Sequence, residues 1–272
     1  MIKIQFCWPE GKAGAFTASY DDGPKEDRKL VEIFNRYGMR GTWNLNGNRV
    51  AATANPAGDV AWSELQSLYA GHEVAAHGLT HPWLDRIPDE RILMEMVEDR
   101  RRLETSVKYP VKGMSLPFGT YDGRVLTILA QAGMVHSRTV RATQNFGVPE
   151  NFLEWHPTCH HAADLGKLWQ DFTDRKESHK LFYLWGHSYE FDRNQNWDII
   201  ERFGALVRAA LEAGWLWSAT NMEIYEYVTA WRRLWCSLDG SCFRNVSGTP
   251  LWMRAGEQLI RMGAGETVDV AG

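Results

Sequence analysis

Two neighbouring carboxylates, Asp21 and Asp22, stand in the run Ser19-Tyr20-Asp21-Asp22-Gly23-Pro24. Asp-Gly and Gly-Pro are turn signals and acids before a helix act as caps, so a plain turn is one reading. The chemical reading divides labour between them, one binding a metal ion and the other accepting a proton. His77 and His81 in His77-Gly78-Leu79-Thr80-His81 have the i, i+4 spacing that puts two imidazoles on one face of a helical turn, where they can converge on a metal. Gly78 excludes the HExxH pattern of zincins, so any base comes from elsewhere, and a chance pair among nine histidines is the bland alternative. Met114-Ser115-Leu116-Pro117-Phe118-Gly119-Thr120-Tyr121-Asp122 reads as a Pro-Gly turn or as a rigid loop presenting backbone N–H groups. Leu184-Trp185-Gly186-His187-Ser188-Tyr189-Glu190 carries one more imidazole, His187, which taken alone reads as a buried, hydrogen-bonded structural residue.

These groups need elements that bring them together, and the sequence has a βα rhythm: short apolar runs ending in polar or Gly-rich residues, each followed by a helical stretch. The expected strands are Ala15–Ser19, Gly41–Asn44, Glu73–Ala76, Gly113–Leu116, Met134–Ser137, Phe152–Trp155, Lys180–Trp185 and Trp215–Ser218. Leu30, Val31 and Phe34 form the apolar face of a helix stopped by Gly38, and Ile199, Phe203, Leu206, Val207 and Ala210 that of another stopped by Gly214. Seven or eight such units favour a closed parallel barrel, and each chemical motif then falls at the C-terminal end of a strand, where barrel enzymes place their sites. The expected fold class is α/β, a distorted (β/α)7-8 barrel over residues 1–235 with a small β appendage over 236–272, where Leu251-Trp252-Met253 and Gln258-Leu259-Ile260 suggest short strands.

The chain has 272 residues, 44% hydrophobic and 24% charged, which places it among globular proteins and outside the disordered range. A net charge of −4 leaves no basic footprint for nucleic acid. No window approaches the ~20 apolar residues of a membrane helix and no leader is apparent, so the expectation is a cytoplasmic protein without a membrane partner. Nothing in the sequence speaks to oligomeric state. Cys7, Cys159, Cys236 and Cys242 are scattered without CxxC spacing and indicate neither a disulfide framework nor a thiolate zinc site. Of 13 Trp, Trp43, Trp155, Trp185 and Trp217 fall at or near expected strand ends, where an aromatic wall for a ligand would sit.

In order and spacing these motifs resemble the polysaccharide deacetylase family, the NodB-homology or carbohydrate esterase family 4 enzymes. Ser19 to Pro24 matches the first motif, T/S-F/Y-D-D-G-P, and His77 to His81 the second, H-x-x-x-H, with Gly78 after the first histidine. Pro117, Phe118 and Gly119 keep part of the third, R-x-P-Y/F-G, with Ser115 in the arginine position, and Leu184 to His187 matches the last. The nearest candidate for the fourth, an acid with a Trp, is Glu154-Trp155. The resemblance implies that Asp22, His77 and His81 ligate a divalent ion, Zn²⁺ first and Co²⁺ or Ni²⁺ next, that Asp21 is the base and that His187 protonates the leaving amine. It places an oxyanion-binding backbone N–H at Phe118, with Pro117, Tyr121, Trp43 and Trp185 around the substrate. Arg138, at a neighbouring strand end, is positioned to supply the charge that Ser115 lacks, and His156, His160 and His161 to shape the pocket. The implied substrate is an acetylated sugar or oligosaccharide, N-acetylated before O-acetylated. The alternatives are an amidohydrolase opening a small cyclic amide of imide or allantoin type, and an inactive carbohydrate-binding relative.

Overall fold

A computed structural model describes residues 4–177 and 179–270. Its strands are β1 (Ile4–Cys7), β2 (Gly14–Asp21), β3 (Thr42–Leu45), β4 (Glu73–Ala76), β5 (Gly113–Ser115), β6 (His136–Arg138), β7 (Cys159–His160), β8 (Lys180–Gly186) and β9 (Leu216–Ser218), followed by β10 (Trp235–Cys236), β11 (Cys242–Arg244), β12 (Leu251–Ala255), β13 (Gln258–Met262) and β14 (Thr267–Asp269). The helices are α1 (Asp27–Tyr37), α2 (Leu65–Leu68), α3 (Asp89–Val107), α4 (Gly123–Gln131), α5 (Leu165–Asp174), α6 (Tyr189–Arg193), α7 (Trp197–Glu212) and α8 (Asn221–Arg232).

The main sheet is parallel and runs β6-β5-β4-β3-β2-β8-β7, with β9 beside the N-terminal half of β2. β2 is buried along its whole length, as expected of a strand covered on both faces, and it pairs with β8 from Gly14 to Tyr20. The sheet curls into an incomplete barrel. β6 and β7 are the two edges and, among the described residues, share no ladder; β6 instead meets the segment before β7 in one isolated bridge, Arg138 to Trp155. The helices wrap the outside with one apolar face inward: Leu30, Val31, Ile33 and Phe34 of α1, and Ile200, Phe203, Val207 and Ala210 of α7. Gly38 ends α1 in the left-handed conformation that a side chain disfavours, φ 68°.

Two expectations about strands change. Phe152–Trp155 is not a strand: Asn151 caps a 3₁₀ turn over Phe152–Glu154 by accepting from Leu153 N–H, and only Trp155 reaches the sheet. The next strand is instead Cys159–His160, too short to show a periodicity. β2 continues to Asp21 and β6 to Arg138, so both residues are strand residues and not loop residues.

After α8 the chain forms two antiparallel three-stranded sheets, β1-β12-β13 and β10-β11-β14, the first of which takes its edge strand from the N-terminus. Trp8, Tyr227, Leu251, Met253 and Met262 share one apolar cluster there, and the Tyr227 hydroxyl donates to Cys7 O while accepting from Trp252 N–H. The four cysteines are free. No helix among the described residues is long and apolar enough to cross a membrane.

Candidate metal centre and proton-transfer site

β2 carries the first carboxylate and the turn after it the second. Asp21 ends the strand with its side chain 2% exposed, inside the barrel. Asp22 then takes φ 82°, a left-handed conformation that Asp tolerates better than most residues, while its N–H donates to Asn44 O on β3. From the end of β4, His77 and His81 meet Asp22: their ligand atoms all lie within 4.8 Å of one another. The expected helical turn is absent. Residues 77–81 form a loop with Gly78 at φ 74° and His81 at φ 56°, and this backbone, not helical spacing, aims the Nε2 atoms at each other 3.2 Å apart. Left-handed backbone at non-glycine residues costs about 1–3 kcal/mol and concentrates at functional sites.

The donor chemistry fits a divalent ion. His77 Nδ1 donates to Ser115 O at 2.9 Å, which leaves Nε2 as the lone-pair face. Burial pushes both imidazoles below their ordinary pKa, outweighing the pull of Asp21 and Asp22, and so favours the neutral form that a metal requires. Asp22 Oδ1 is buried without a well-aligned hydrogen bond, and its cation neighbour is Arg49 Nη1 at 3.0 Å. Two imidazoles and one carboxylate suit Zn²⁺.

Asp21 sits among donors: Asn44 Nδ2 at 2.8 Å, Ser115 Oγ at 3.0 Å and the Arg138 guanidinium, whose Nη2 donates to Oδ2. Arg138 is fully buried, donates also to Ser19 Oγ and Thr139 O, and lies over the Trp185 ring at 4.5 Å. Ser115 and Arg138 are register partners on β5 and β6, so an arginine one strand further round reaches the same carboxylate. Burial opposes ionisation of Asp21, but Arg138, with His77 and His187, outweighs it and holds the carboxyl well below the usual range. The Ser115 hydroxyl, 2.6 Å from His77 Nδ1, links this carboxylate to the ligand set.

His187 follows β8, with Nε2 4.0 Å from Asp21 Oδ2 and Nδ1 3.6 Å from Glu190 Oε1. Glu190 escaped the sequence reading. Its other oxygen lies 3.0 Å from His160 Nε2 and 3.1 Å from His161 Nε2. His160, His187 and Glu190 also have the proximity of a metal site, but Ala162 N–H donates to His160 Nδ1, which leaves Nε2 as the ring nitrogen facing Glu190 Oε2 at 3.0 Å. The cluster is therefore a carboxylate hub. Burial works against charge on Glu190, yet the three imidazoles hold its pKa far below normal, while Glu190 and Asp21 raise that of His187 against its own burial. Gly186 is required beside it, since a Cβ there would lie 2.0 Å from His161 Nδ1. The signal available in the sequence was an acid three residues after His187, at the opening turn of α6.

The remaining expected site residues divide. Phe118 takes φ 57°, stacks on Trp83 at 3.9 Å and meets His81 edge-on at 4.4 Å, and Pro117 is buried against Gly78. Trp185 faces Arg138, His160 and His187. Tyr121 donates its hydroxyl to Glu154 at 2.6 Å. Trp43 is not a substrate wall: it is fully buried and stacked on Tyr20 and Tyr69. Asn44 points inward to Asp21, and strand alternation sends its neighbour outward into the helix layer. Trp155 is likewise buried, packed on Phe152 and Tyr183.

Comparison with known proteins places this geometry in context. Residues 10–136 match the family model described as polysaccharide deacetylase. Chitin deacetylase 1 of Cryptococcus neoformans var. grubii is 27% identical over 118 residues, 43% of this chain and 23% of that protein's length. A crystal structure described as a putative polysaccharide deacetylase from Mycobacterium smegmatis shares the fold at TM-score 0.65 and 17% identity, covering 85% of this chain and 96% of that one. A family 4 carbohydrate esterase pseudoenzyme from Bacillus anthracis matches at TM-score 0.50 and 15% identity, covering 81% of this chain and 68% of that one.

Proposed function

Residues 10–136 belong to the polysaccharide deacetylase family, and from that premise we propose that the chain is a metal-dependent hydrolase that removes an acetyl group from an N-acetylated sugar or oligosaccharide. The observation that carries the reading is the convergence of Asp22, His77 and His81 beside an ionised Asp21, with His187 within 4.0 Å of that carboxylate.

Asp22, His77 and His81 would hold the ion, Zn²⁺ before Co²⁺ or Ni²⁺ by donor type. When bound, such an ion lowers the pKa of water from ~15.7 toward ~7 and polarises the acetyl carbonyl. Asp21 is ionised at neutral pH and accepts the proton of the attacking water, while Asn44 and Ser115 fix its Oδ1. The backbone N–H of Phe118, in its left-handed turn, would serve the developing oxyanion. His187 delivers a proton from Nε2 to the leaving nitrogen, because an amide does not expel an unprotonated amide anion. Glu190 raises the pKa of His187, favouring its protonated form, and faces its Nδ1 side.

The altered third motif is one of two grounds for the cyclic-amide alternative, the expected cytoplasmic location being the other, and Arg138 on Asp21 weakens the first. The decisive test is acetate release from a panel of acetylated mono- and oligosaccharides and cyclic amides, with and without chelator and added Zn²⁺. Release from an N-acetylated sugar that chelation abolishes and Zn²⁺ restores is the expected result. Oligosaccharide binding with no acetate from any substrate would establish the inactive relative instead, and ring opening alone the amidohydrolase.

Glu190→Gln tests the hub. Removing the negative charge lowers the His187 pKa, so the protonated acid is lost earlier as pH rises. The alkaline limb of kcat/KM is expected to move to lower pH, with kcat at neutral pH reduced about tenfold or more. A pH profile that overlays wild type removes Glu190 from this role.

A further inference from the structure

We propose that Asp99 and Glu95, one turn apart on α3, are positioning residues that hold the 77–81 loop in the shape that presents its two imidazoles to a metal. The inference rests on the metal-site reading above. Asp99 is fully buried and Glu95 is 3% exposed. Asp99 Oδ2 accepts from His77 N–H at 3.0 Å and Oδ1 from Gly47 N–H at 2.6 Å. Glu95 Oε2 accepts from Thr80 N–H at 2.8 Å and Oε1 from Thr80 Oγ1 at 2.7 Å. From the other side Asn46 Nδ2 donates to His77 O at 2.6 Å and Gly78 O at 2.9 Å. Three buried side chains thus grip consecutive peptide units of a loop whose Gly78 and His81 both have positive φ.

Burying two carboxylates one turn apart is costly without cations, and Arg91 Nη2 approaches Glu95 only to 4.0 Å. What the carboxylates receive in return is backbone N–H groups of the ligand loop and of the β3–α2 connection. Position 47 is built for the contact, since a Cβ on Gly47 would stand 2.8 Å from Asp99 Oδ1. A role limited to filling the core would be met by apolar side chains. Partners behind metal ligands commonly act on the ring N–H of a histidine, but here the His77 ring N–H goes to Ser115 O, so α3 acts on the backbone.

The test is Zn²⁺ affinity by chelator competition together with the visible absorption of the Co²⁺ form, in Asp99→Asn and Glu95→Gln. Each change keeps shape and removes one acceptor. The expected result is a Zn²⁺ Kd raised about 10–100-fold in Asp99→Asn, with altered Co²⁺ bands and a metal-free circular dichroism spectrum like that of wild type. A Kd within about twofold of wild type in both variants would overturn the proposal while leaving the metal site standing. Wild-type protein that takes up no metal overturns both readings. If Asp99→Asn does not fold, Thr80→Val, which loses only the Oγ1 contact, stands in for it, and an unchanged Kd there and in Glu95→Gln is equally fatal.

Discussion

Asp21→Asn is expected to lower acetate release by about 10²–10⁴-fold at saturating substrate while Zn²⁺ stoichiometry stays at the wild-type value. The substitution is close to isosteric and retains one oxygen for Arg138, so the guanidinium is not left without a partner. What disappears is the ionised oxygen pair whose Oδ2 lies 4.0 Å from His187 Nε2 and 3.8 Å from His77 Nε2. The low proton affinity of Asp21 matters to the proposed mechanism: the carboxylate is ionised at neutral pH, and a proton it captured would be held weakly, beside His187, the proposed donor to the leaving nitrogen. Steady-state kinetics with metal analysis is the measurement. Turnover equal to wild type would remove Asp21 as base and undo the mechanism.

Arg138→Ala has the largest expected effect on stability, about 3–5 kcal/mol at neutral pH, because it leaves a buried carboxylate without its cation. The sign of the pH dependence distinguishes this from loss of packing alone. In the wild type the folded-state pKa of Asp21 is depressed, so its contribution is present above the unfolded value near 3.9 and is lost as pH falls through the folded value, in strong acid. In the variant, burial is opposed by His77 and His187 without Arg138, and the folded-state pKa is expected to rise above the unfolded one. Stability is then greatest at low pH and declines as pH rises through the carboxylate range. Urea unfolding of metal-free protein at about pH 4.5 and pH 7 checks this: the deficit relative to wild type is expected to be larger at pH 7. An equal deficit at both values would show that Arg138 contributes packing and not charge. Arg138→Lys should recover part of the stability but less of the turnover, because an ammonium cannot span Ser19, Asp21 and Thr139 as the guanidinium does.

Much of the site was legible residue by residue. Asp21-Asp22 before Gly-Pro, the His77/His81 pair and His187 after an apolar run each carry a local signature, and the βα rhythm put all of them at one end of the sheet. The geometry joining the histidines was misread, because i, i+4 spacing suggests a helix and gives no hint of two left-handed residues. Glu190 was missed for a different reason. Its partners His160 and His161 are about thirty positions upstream and reach it only because β7 lies beside β8. Trp43 was misplaced because adjacency to a strand end says nothing about which face of the strand a side chain takes.

The sequence by itself determined which groups stand at strand ends, since turn chemistry and apolar runs are properties of a few neighbouring residues. Only the tertiary structure decided which of them act together. The register of β5 against β6 sets Arg138 in place of the missing arginine at 115, strand alternation turns Asn44 inward and Trp43 outward, and buried acids of α3 grip the ligand loop. Each of these depends on contacts between segments far apart in the chain, where pairing, facing and burial are settled by packing rather than by local preference.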